Sequence, residues 1–532
     1  MTPSGTVPSW SGWGDPARVP TLPAPVLTLL EQALGVTPAL AAAVAMTGVS
    51  LPEPDLPGGC RDELVALLGA EQVRDDRESR IRHTRGKSTS DLVRLRSGDA
   101  ADAPDLVVLP ATHDEVAAVL RSCAQHRVAV VPFGGGTSVV GGLTPRRAGF
   151  SGAIALDLRR MDRLLAVDAE SRTAVLQPGL LAPQAEEQLG AHGFTLGHFP
   201  QSFEYASIGG FAATRSAGQA SAGYGRFDEM VVGLTVATPQ GCLELGRAPA
   251  SAAGPDLRQL ILGSEGALGI VTAVTVRLMP APAQRSYEGW RFEFFSDGMA
   301  ALRRLAQDGP RPTVVRLSDE IETAVGLARP GQLGSASSGG CLLIAGYEGS
   351  PPDVTARREA ASAVLAGCGG EPQGDEPGQE WRRQRYAGPY LRDALLDAGA
   401  FVETLETATF WSSLGALYGA VRTALTEALT AQDTPPLVAC HVSHVYPTGA
   451  SLYFTVACAQ ADDPLAQWQR AKTAAGDAIL RAGGTITHHH GVGVDHREHY
   501  AREVGPLAVD VLRAVKGRLD PAGILNPGVL VG

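Results

Sequence analysis

A hydrophobic run passes directly into a cluster of glycines at Val130-Val131-Pro132-Phe133-Gly134-Gly135-Gly136-Thr137-Ser138-Val139-Val140-Gly141-Gly142. Glycine has no Cβ, so the backbone N–H groups of such a loop can approach the oxygens of a diphosphate closely. The loop does not match a Rossmann fingerprint, because Val139 stands where the third glycine is required, and no P-loop Gly-Lys-Ser/Thr follows. The pattern predicts an anion-binding nest after a buried strand, with an ordinary surface turn as the alternative.

The sequence around this loop predicts a βαβ unit and further strands. A β-branched run at Leu106–Leu109 precedes a helix that begins near Thr112, where Glu115 completes a capping box, and a second strand covers Val128–Phe133. Short strands with Gly and Pro turns between them are predicted at Ala153–Leu158, Thr173–Gln177 and Val231–Thr238. Helices ahead of the unit are predicted at Val26–Leu34, Pro38–Met46 and Glu63–Leu68.

A Pro/Ala stretch at Met279–Ala283 marks a boundary, after which a second alternation of strands and helices begins. Its strands are predicted at Glu288–Phe295, Thr313–Leu317, Cys341–Tyr347, Leu437–Val445 and Ser451–Cys458. Its helices are predicted at Gly298–Gln307, Ser350–Ala366 and Trp411–Ala431. Two glycine-rich segments, Gly331–Gly340 and Gly369–Gly378, are expected to be mobile loops, and Ala400–Phe410 is also interpreted as a loop. Such a mixture indicates an α+β protein.

Size and composition narrow the classes of protein. A chain of 532 residues, 44% hydrophobic and 19% charged, is expected to be globular and to have two or three domains. The net charge of −11 argues against a nucleic-acid partner. Seven scattered cysteines are interpreted as small buried side chains in a reducing compartment. We expect a cytoplasmic protein, since neither a secretory signal nor a transmembrane run is recognisable.

Three of the twelve histidines are consecutive, at His488, His489 and His490. On an extended segment His488 and His490 would point to one side and His489 to the other. Imidazole exchanges protons near neutral pH, so we favour an active-site cluster over buried structural histidines. Asp495 and His496 are close in sequence, but nothing fixes a ligand geometry, and no metal is expected.

Tyr453 lies in Ser451-Leu452-Tyr453-Phe454-Thr455-Val456, where polar and apolar side chains alternate cleanly. The alternation predicts a strand with Tyr453 on the polar face. A phenol has a pKa of about 10, so a basic role needs neighbours that stabilise the phenolate, such as a cationic histidine, an arginine or an oxidised flavin. A cross-strand packing role is the alternative.

The order of several motifs resembles the FAD domain of the vanillyl-alcohol-oxidase superfamily. The motifs are Pro132 to Gly142, Gly197-His198-Phe199-Pro200-Gln201-Ser202, Ala206-Ser207-Ile208-Gly209-Gly210, Thr214-Arg215-Ser216-Ala217-Gly218 and Gly263 to Ile270. Within that superfamily the chain resembles the alkyldihydroxyacetonephosphate synthases more than the D-lactate and glycolate dehydrogenases. This closer likeness lies in His83-Thr84-Arg85-Gly86-Lys87-Ser88, in Phe199 to Gly210 and in Ser11-Gly12-Trp13-Gly14.

The resemblance implies noncovalently bound FAD and a two-lobed α+β fold. The FAD-binding domain of the PCMH type would cover residues 101–281 and a cap domain with an antiparallel sheet residues 282–475. A helical segment, 1–100, would precede them, and residues 476–532 would carry the histidines back to the FAD domain. The implied cofactor-binding residues are Pro132, Gly134, Gly135, Gly136, Thr137, Ser138, Pro200, Gln201, Ser202, Ser207, Gly209, Gly210, Thr214, Ser216, Ala217, Glu265, Gly266 and Ile270.

The implied activity is the exchange of the acyl group of acyl-dihydroxyacetone phosphate for a long-chain alcohol. The resemblance makes Tyr453 the general base, assisted by the three histidines, and makes Arg392 an active-site residue that we assign to substrate binding. Arg316 is assigned either to the substrate or to an ion pair with Asp319.

Two other functions stay open. They are an FAD-linked oxidoreductase of D-2-hydroxy acids and a flavin-binding scaffold without turnover. We expect small-molecule lipid substrates and a homodimer. Peripheral contact with a membrane is a further expectation, for which the N-terminal segment with Trp10 and Trp13 is the candidate anchor.

Overall fold

The computed structural model describes residues 7–37, 43–327 and 339–531. Most of the predicted helix Pro38–Met46 and nearly all of the predicted loop Gly331–Gly340 lie outside these residues. Residues 43–45 of the predicted helix are described and are not helical, and Met46 begins a short 3₁₀ helix at Met46–Gly48. The N-terminal region contains the elements α1 (Ala24–Leu34), α2 (Gly58–Leu68), β1 (Val73–Arg74), α3 (Arg77–Arg82) and α4 (Thr89–Arg96).

The predicted βαβ unit is present. It contains β2 (Leu106–Val108), α5 (His113–His126), β3 (Ala129–Phe133) and β4 (Ala153–Asp157). The sheet order is β1-β2-β4-β3, with β2 and β3 both parallel to β4. Thr112 caps α5 by accepting from the Glu115 amide at 3.1 Å. The reciprocal bond of the capping box shifts by one residue, since Glu115 accepts from Ala111 and not from Thr112.

A second sheet completes the first half of the molecule. Its region contains β5 (Leu164–Asp168), β6 (Thr173–Leu176), α6 (Ala182–Gly190), β7 (Phe194–Thr195), α7 (Ile208–Thr214), α8 (Ser221–Tyr224), α9 (Phe227–Met230), β8 (Val231–Thr238), β9 (Gly241–Leu245), α10 (Arg258–Ile261), β10 (Ile270–Arg277) and β11 (Met279–Pro280). The order is β5-β6-β10-β8-β9, with antiparallel neighbours, and β11 pairs with β7. The helices α6 and α7 and the short helix α9 contribute apolar side chains to the core behind this sheet.

The cap is built on a third, larger antiparallel sheet. Its elements are β12 (Gln284–Phe292), α11 (Phe295–Gln307), β13 (Val314–Ser318), α12 (Glu320–Val325), β14 (Cys341–Gly349), α13 (Pro351–Gly367), β15 (Glu371–Gly374), α14 (Glu376–Gln384), α15 (Gly388–Asp397), β16 (Ala400–Phe410), α16 (Leu414–Thr430), β17 (Leu437–Val445), β18 (Gly449–Ala459) and α17 (Pro464–Arg481). The sheet order is β15-β12-β14-β13-β17-β18-β16. Side chains of α11, α13, α16 and α17 bury one of its faces in the largest core cluster of the described residues.

The C-terminal segment contains α18 (Arg497–Val504) and α19 (Pro506–Leu519) and then returns to the first sheet. The Val130 amide donates to the Ile524 carbonyl at 2.8 Å, and the Asn526 amide donates back to the Val130 carbonyl at 2.9 Å. The chain end therefore lies beside the strand that carries the glycine loop. The α+β class, with antiparallel sheets and an N-terminal helical region, agrees with the prediction.

Several local predictions are wrong. Gly369–Gly378 is not a loop, because β15 adds to the edge of the cap sheet against β12 and α14 begins two residues later. Ala400–Phe410 is the strand β16, whose eleven residues all pair with β18. The observed strand β12 (Gln284–Phe292) begins and ends earlier in the sequence than the predicted strand Glu288–Phe295, and Phe295 is the first residue of α11.

Two compositional interpretations also need correction. All seven cysteines are free, but Cys242 is exposed on the edge strand β9, and Cys368 is half-buried at the C-terminal end of α13. Trp10 and Trp13 do not form an exposed anchor. Trp13 is 4% exposed and Trp10 packs against a small cluster around Ile81. Across the described ranges, the helices include no candidate for a transmembrane span by length and hydropathy.

Candidate active site

A cavity of about 390 Å³ lies between the glycine loop and the cap sheet. Each predicted cofactor residue lines it: Pro132, Gly134, Gly135, Gly136, Thr137, Ser138, Pro200, Gln201, Ser202, Ser207, Gly209, Gly210, Thr214, Ser216, Ala217, Glu265, Gly266 and Ile270. Tyr453, His489, His490, Arg392 and Arg316 line the same cavity from the cap and the C-terminal segment. The fold thus brings together residues from distant parts of the sequence.

The glycine loop follows β3, as predicted, and is packed tightly against the rest of the protein. A Cβ on Gly135 would lie 1.9 Å from the carbonyl oxygen of Tyr205, so the neighbouring backbone by itself requires a glycine at this position. The Lys87 amide donates to the Ser138 carbonyl at 2.7 Å and anchors the end of the loop. Ser138 Oγ is buried at the cavity and has no hydrogen-bond partner in the described part of the chain.

Glu265 joins the glycine-loop half of the molecule to the C-terminal segment. Its Oε2 accepts from the amides of Val492 and Gly493 at 2.8 and 2.7 Å. Burial raises the pKa of Glu265 to about 7. Asn526 donates to the carbonyls of Gly142 and Glu265 at 3.0 and 2.7 Å. Asn526 was not predicted, because no local pattern marks a lone asparagine that connects two loops.

The three histidines are arranged around a buried carboxylate. Glu406 on β16 accepts from the backbone amides of His488, His489 and His490 at 2.5, 3.1 and 2.9 Å, and from Thr487 Oγ1 at 2.6 Å. Successive amides that converge on one anion form a nest. The segment is therefore not extended, and His489 and His490 both reach the cavity although they are adjacent.

His488 has a different environment from the other two histidines. It is not among the residues that line the cavity, and its Nε2 lies 2.6 Å from the hydroxyl of Tyr446. Its Nδ1 lies 3.0 Å from Nδ1 of His489, and its ring stacks on His444 with centroids 5.0 Å apart. Nitrogens of His444, His488 and His489 all lie within 4.8 Å of one another, a spacing that a metal ion could use. Asp495 and His496 are directed to Lys472 and to the Gly491 carbonyl.

Burial makes the imidazoles at the cavity neutral. It lowers the pKa of His489, and lowers that of His490 to about 3. Burial opposes ionisation of Glu406, but the hydrogen bonds that it accepts from the Thr487 hydroxyl and from the three histidine amides favour the carboxylate, and its pKa lies well below the usual range. The cluster therefore presents neutral imidazoles on a negatively charged support at neutral pH.

Tyr453 is half-buried among these rings, on the polar face of β18. Its ring stacks on His441 with centroids 4.9 Å apart and lies 6.1 Å from His489 and 5.8 Å from His490. Burial raises the pKa of Tyr453 to about 12. In the protein alone Tyr453 is a phenol, and the cationic histidines expected to stabilise a phenolate are neutral.

Two arginines border the cavity. Arg392 donates to the Lys87 carbonyl at 2.6 Å and pairs with Asp393 at 3.1 Å. Arg316 pairs with Glu322 at 2.6 Å and not with Asp319, which instead caps α12. Burial opposes ionisation of Glu322, but Arg316 and His441 lower its pKa to about 2. Nε of Arg316 is buried and without a hydrogen-bond partner among the residues described.

The donor set of the cavity fits a flavin dinucleotide. Glycine backbone at one end can face a diphosphate, and the buried polar atoms Ser138 Oγ, Trp13 Nε1 and Gln219 Oε1 lack partners within residues 7–37, 43–327 and 339–531. The cap contributes a phenol, imidazoles and guanidinium groups at the other end. These features define a two-lobed FAD-dependent flavoenzyme.

Comparison with known proteins shows which family of flavoenzymes the chain resembles. The model of the FAD binding domain family matches residues 104–246, and that of the C-terminal domain of FAD linked oxidases matches residues 281–530. The alkyldihydroxyacetonephosphate synthase of Dictyostelium discoideum is 35% identical over 490 residues, which are 88% of this chain and 80% of that protein. A solved alkyldihydroxyacetonephosphate synthase structure superposes with a TM-score of 0.82 at 30% identity and covers 98% of both chains.

A mitochondrial D-lactate dehydrogenase of Arabidopsis thaliana is less similar, at 28% identity over 81% of this chain and 74% of that protein. The chain belongs to the alkyldihydroxyacetonephosphate synthase family.

Proposed function

We propose that this protein exchanges the fatty acyl group of acyl-dihydroxyacetone phosphate for a long-chain alcohol. The observation that carries the proposal is the position of Tyr453, which packs against imidazole rings and lines the cofactor cavity together with Arg316 and Arg392. The overall reaction breaks the bond between C1 and the acyl oxygen and releases the fatty acid. The alcohol oxygen forms the new bond to C1, and its proton is released, so no net oxidation occurs.

FAD would be held noncovalently by the glycine loop Gly134–Ser138 at its diphosphate, with the segments around Pro200–Gly210 and Thr214–Ala217 beside the ring. The residues Glu265, Gly266 and Ile270 would close the adenine side. When bound, FAD supplies an electrophilic centre for the substrate carbon during the exchange.

The chain's own groups would move the proton at C1. Tyr453 is the proposed base, but its raised pKa means that it has to lose its proton as the substrate reacts. Burial makes His489 and His490 weak bases, but the Glu406 carboxylate favours their protonated form, and both rings are neutral and therefore free to accept that proton. Glu406 would stabilise the positive charge that this transfer creates on the rings, since its carboxylate lies 3.6 Å from His490 Nδ1.

The phosphate of the substrate would be bound by arginine. Arg392 is proposed for this role, because its guanidinium group borders the cavity and is held in place by Lys87 and Asp393. For Arg316 two roles compete. Its unpartnered Nε supports contact with the substrate, whereas its pair with Glu322 supports a structural role beneath His441.

The long tails of both substrates favour a peripheral position at a membrane surface, which vesicle flotation would test. We further propose a homodimer, to be measured by light scattering. Both proposals concern the environment of the enzyme and are independent of the chemistry at Tyr453.

The decisive experiment is turnover of the purified, FAD-loaded protein under anaerobic conditions with acyl-dihydroxyacetone phosphate and labelled fatty alcohol. Labelled ether product supports the proposal. Bleaching of the flavin by D-lactate or another 2-hydroxy acid, with no ether product, supports hydride transfer instead. A flavin spectrum that no substrate changes, with no turnover, indicates a scaffold.

A further inference from the structure

The N-terminal segment Val7–Arg18, here called the strap, is attached to both halves of the molecule. The Trp13 amide donates to Asp393 on α15 at 2.5 Å, and the Asp15 amide donates to the Tyr205 hydroxyl at 3.1 Å. Further bonds hold its carbonyls and its charged end: Lys87 Nζ to Ser9 O, Arg96 Nε to Ser11 O and Arg18 to Glu204. The two matching family models cover residues 104–246 and 281–530, so neither includes the strap.

Trp13 is the residue of the strap that enters the cavity. Its side chain lines the cavity and is 4% exposed. It packs edge-on against Tyr205 with centroids 5.7 Å apart, and the carbonyl of Tyr205 is the group that closes on Gly135. The indole therefore lies one side chain away from the glycine loop.

Charged and polar groups converge around this indole. Asp393, which holds the Trp13 amide, pairs with Arg392. Arg392 in turn donates to the carbonyl of Lys87, whose own amide holds the Ser138 carbonyl at the end of the glycine loop. Hydrogen bonds therefore connect Trp13 to Arg392 and to the end of the glycine loop, the two groups proposed to bind phosphate.

The indole Nε1 is buried and has no hydrogen-bond partner in the ranges that the structure describes. Buried N–H donors are nearly always satisfied, and an indole can only donate. The neighbouring protein atoms leave this donor without a partner, although it belongs to a residue at the cavity wall. An acceptor on a bound ligand would satisfy it.

We propose that the Trp13 indole N–H donates a hydrogen bond to a phosphate oxygen of the ligand in this cavity. The phosphate belongs either to FAD or to the head group of the substrate. The first case is independent of the proposed function, whereas the second rests on it. In both cases the strap contributes a ligand-binding residue, although it lies outside the two matching family models.

The test compares Trp13→Phe, which keeps an aromatic ring but removes the donor, with Trp10→Phe. Trp10 is on the same strap but packs against the Ile81 cluster, away from the cavity, so it is the matched control. FAD is titrated into each apoprotein, and dihydroxyacetone phosphate is titrated into each FAD-loaded protein. We expect Trp13→Phe to weaken one of these two ligands on the order of tenfold, while Trp10→Phe behaves as the wild type. The weakened ligand identifies the source of the phosphate.

A spectroscopic readout keeps the test independent of activity. The chain has six tryptophans, so a ¹⁵N-indole spectrum contains few signals, and the signal missing in Trp13→Phe identifies Trp13. This signal should shift downfield when the accepting ligand binds. The proposal is overturned if Trp13→Phe binds both ligands as tightly as the wild type, or if Trp10→Phe weakens binding equally. If the wild type itself does not bind dihydroxyacetone phosphate, the FAD titration alone decides the role of Trp13, and the turnover experiment decides the proposed function separately.

Discussion

The backbone amide of His490 donates a hydrogen bond to the carboxylate of Glu406 at 2.9 Å, across 84 positions of sequence. The same carboxylate holds the amides of His488 and His489, so a single side chain on β16 shapes the whole histidine segment. A change in this carboxylate should alter catalysis without any direct change in the imidazoles.

Glu406→Gln should lower kcat on the order of 10- to 100-fold. A glutamine side chain directs an N–H₂ group toward backbone donors, and the charge-assisted bonds that orient the rings are lost. The measurement is the turnover rate of the FAD-loaded variant, with flavin absorbance to verify loading. The matched control is Glu503→Gln, which removes a carboxylate from the Ile486 amide on the same segment but leaves the histidine amides in place. Wild-type kcat in Glu406→Gln would contradict the positioning role.

Tyr453→Phe should reduce turnover by roughly 10²- to 10⁴-fold, the range expected when a proton-transfer group is lost. FAD binding should not change, because the predicted diphosphate contacts come from the glycine loop. Stopped-flow or steady-state turnover, beside an FAD titration, measures both quantities. Tyr418→Phe is a suitable control, since its hydroxyl contacts Asp319 in the cap core. Substantial activity in Tyr453→Phe would assign the base to another group.

Arg392→Lys should raise the KM for the phosphate substrate about tenfold with a smaller effect on kcat. Lysine keeps the charge but loses the planar pair of donors that matches a phosphate. Initial-rate kinetics separate the two constants. Arg358→Lys, at an ion pair with Glu288 outside the cavity, should leave the KM unchanged. A fall in kcat alone would instead place Arg392 in the chemical step.

Glu265 should make the stability of the protein depend on pH between about 4.5 and 7. Burial raises its folded-state pKa from the usual 4.5 to about 7, so the unfolded chain releases this proton first as the pH rises. The contribution of the group to the free energy of unfolding is therefore full below pH 4.5 and is lost as the pH rises through 7, by at most about 3 kcal/mol. Urea unfolding of the wild type and of Glu265→Gln across this range measures it. If the difference in free energy of unfolding between the two proteins stays constant with pH, Glu265 ionises normally.

Local patterns were sufficient for much of the architecture. The strand before the glycine loop, the alternation around Tyr453 and the α+β class all depend on neighbours in sequence, where period and composition act directly. The glycine loop and the consecutive histidines were also visible as patterns. These motifs contain residues that line one cavity, and a local pattern is enough to identify them.

The supporting groups could not be recognised in this way, because they act through contacts between distant segments. Glu406 has no local signal in Ala400–Phe410, because its role depends on the amide of His488, 82 positions away in the sequence. Trp13 and Asp393 are separated by 380 positions. The neutral state of the imidazoles and the raised pKa of Tyr453 are consequences of burial, which exists only once the cap closes over the glycine loop.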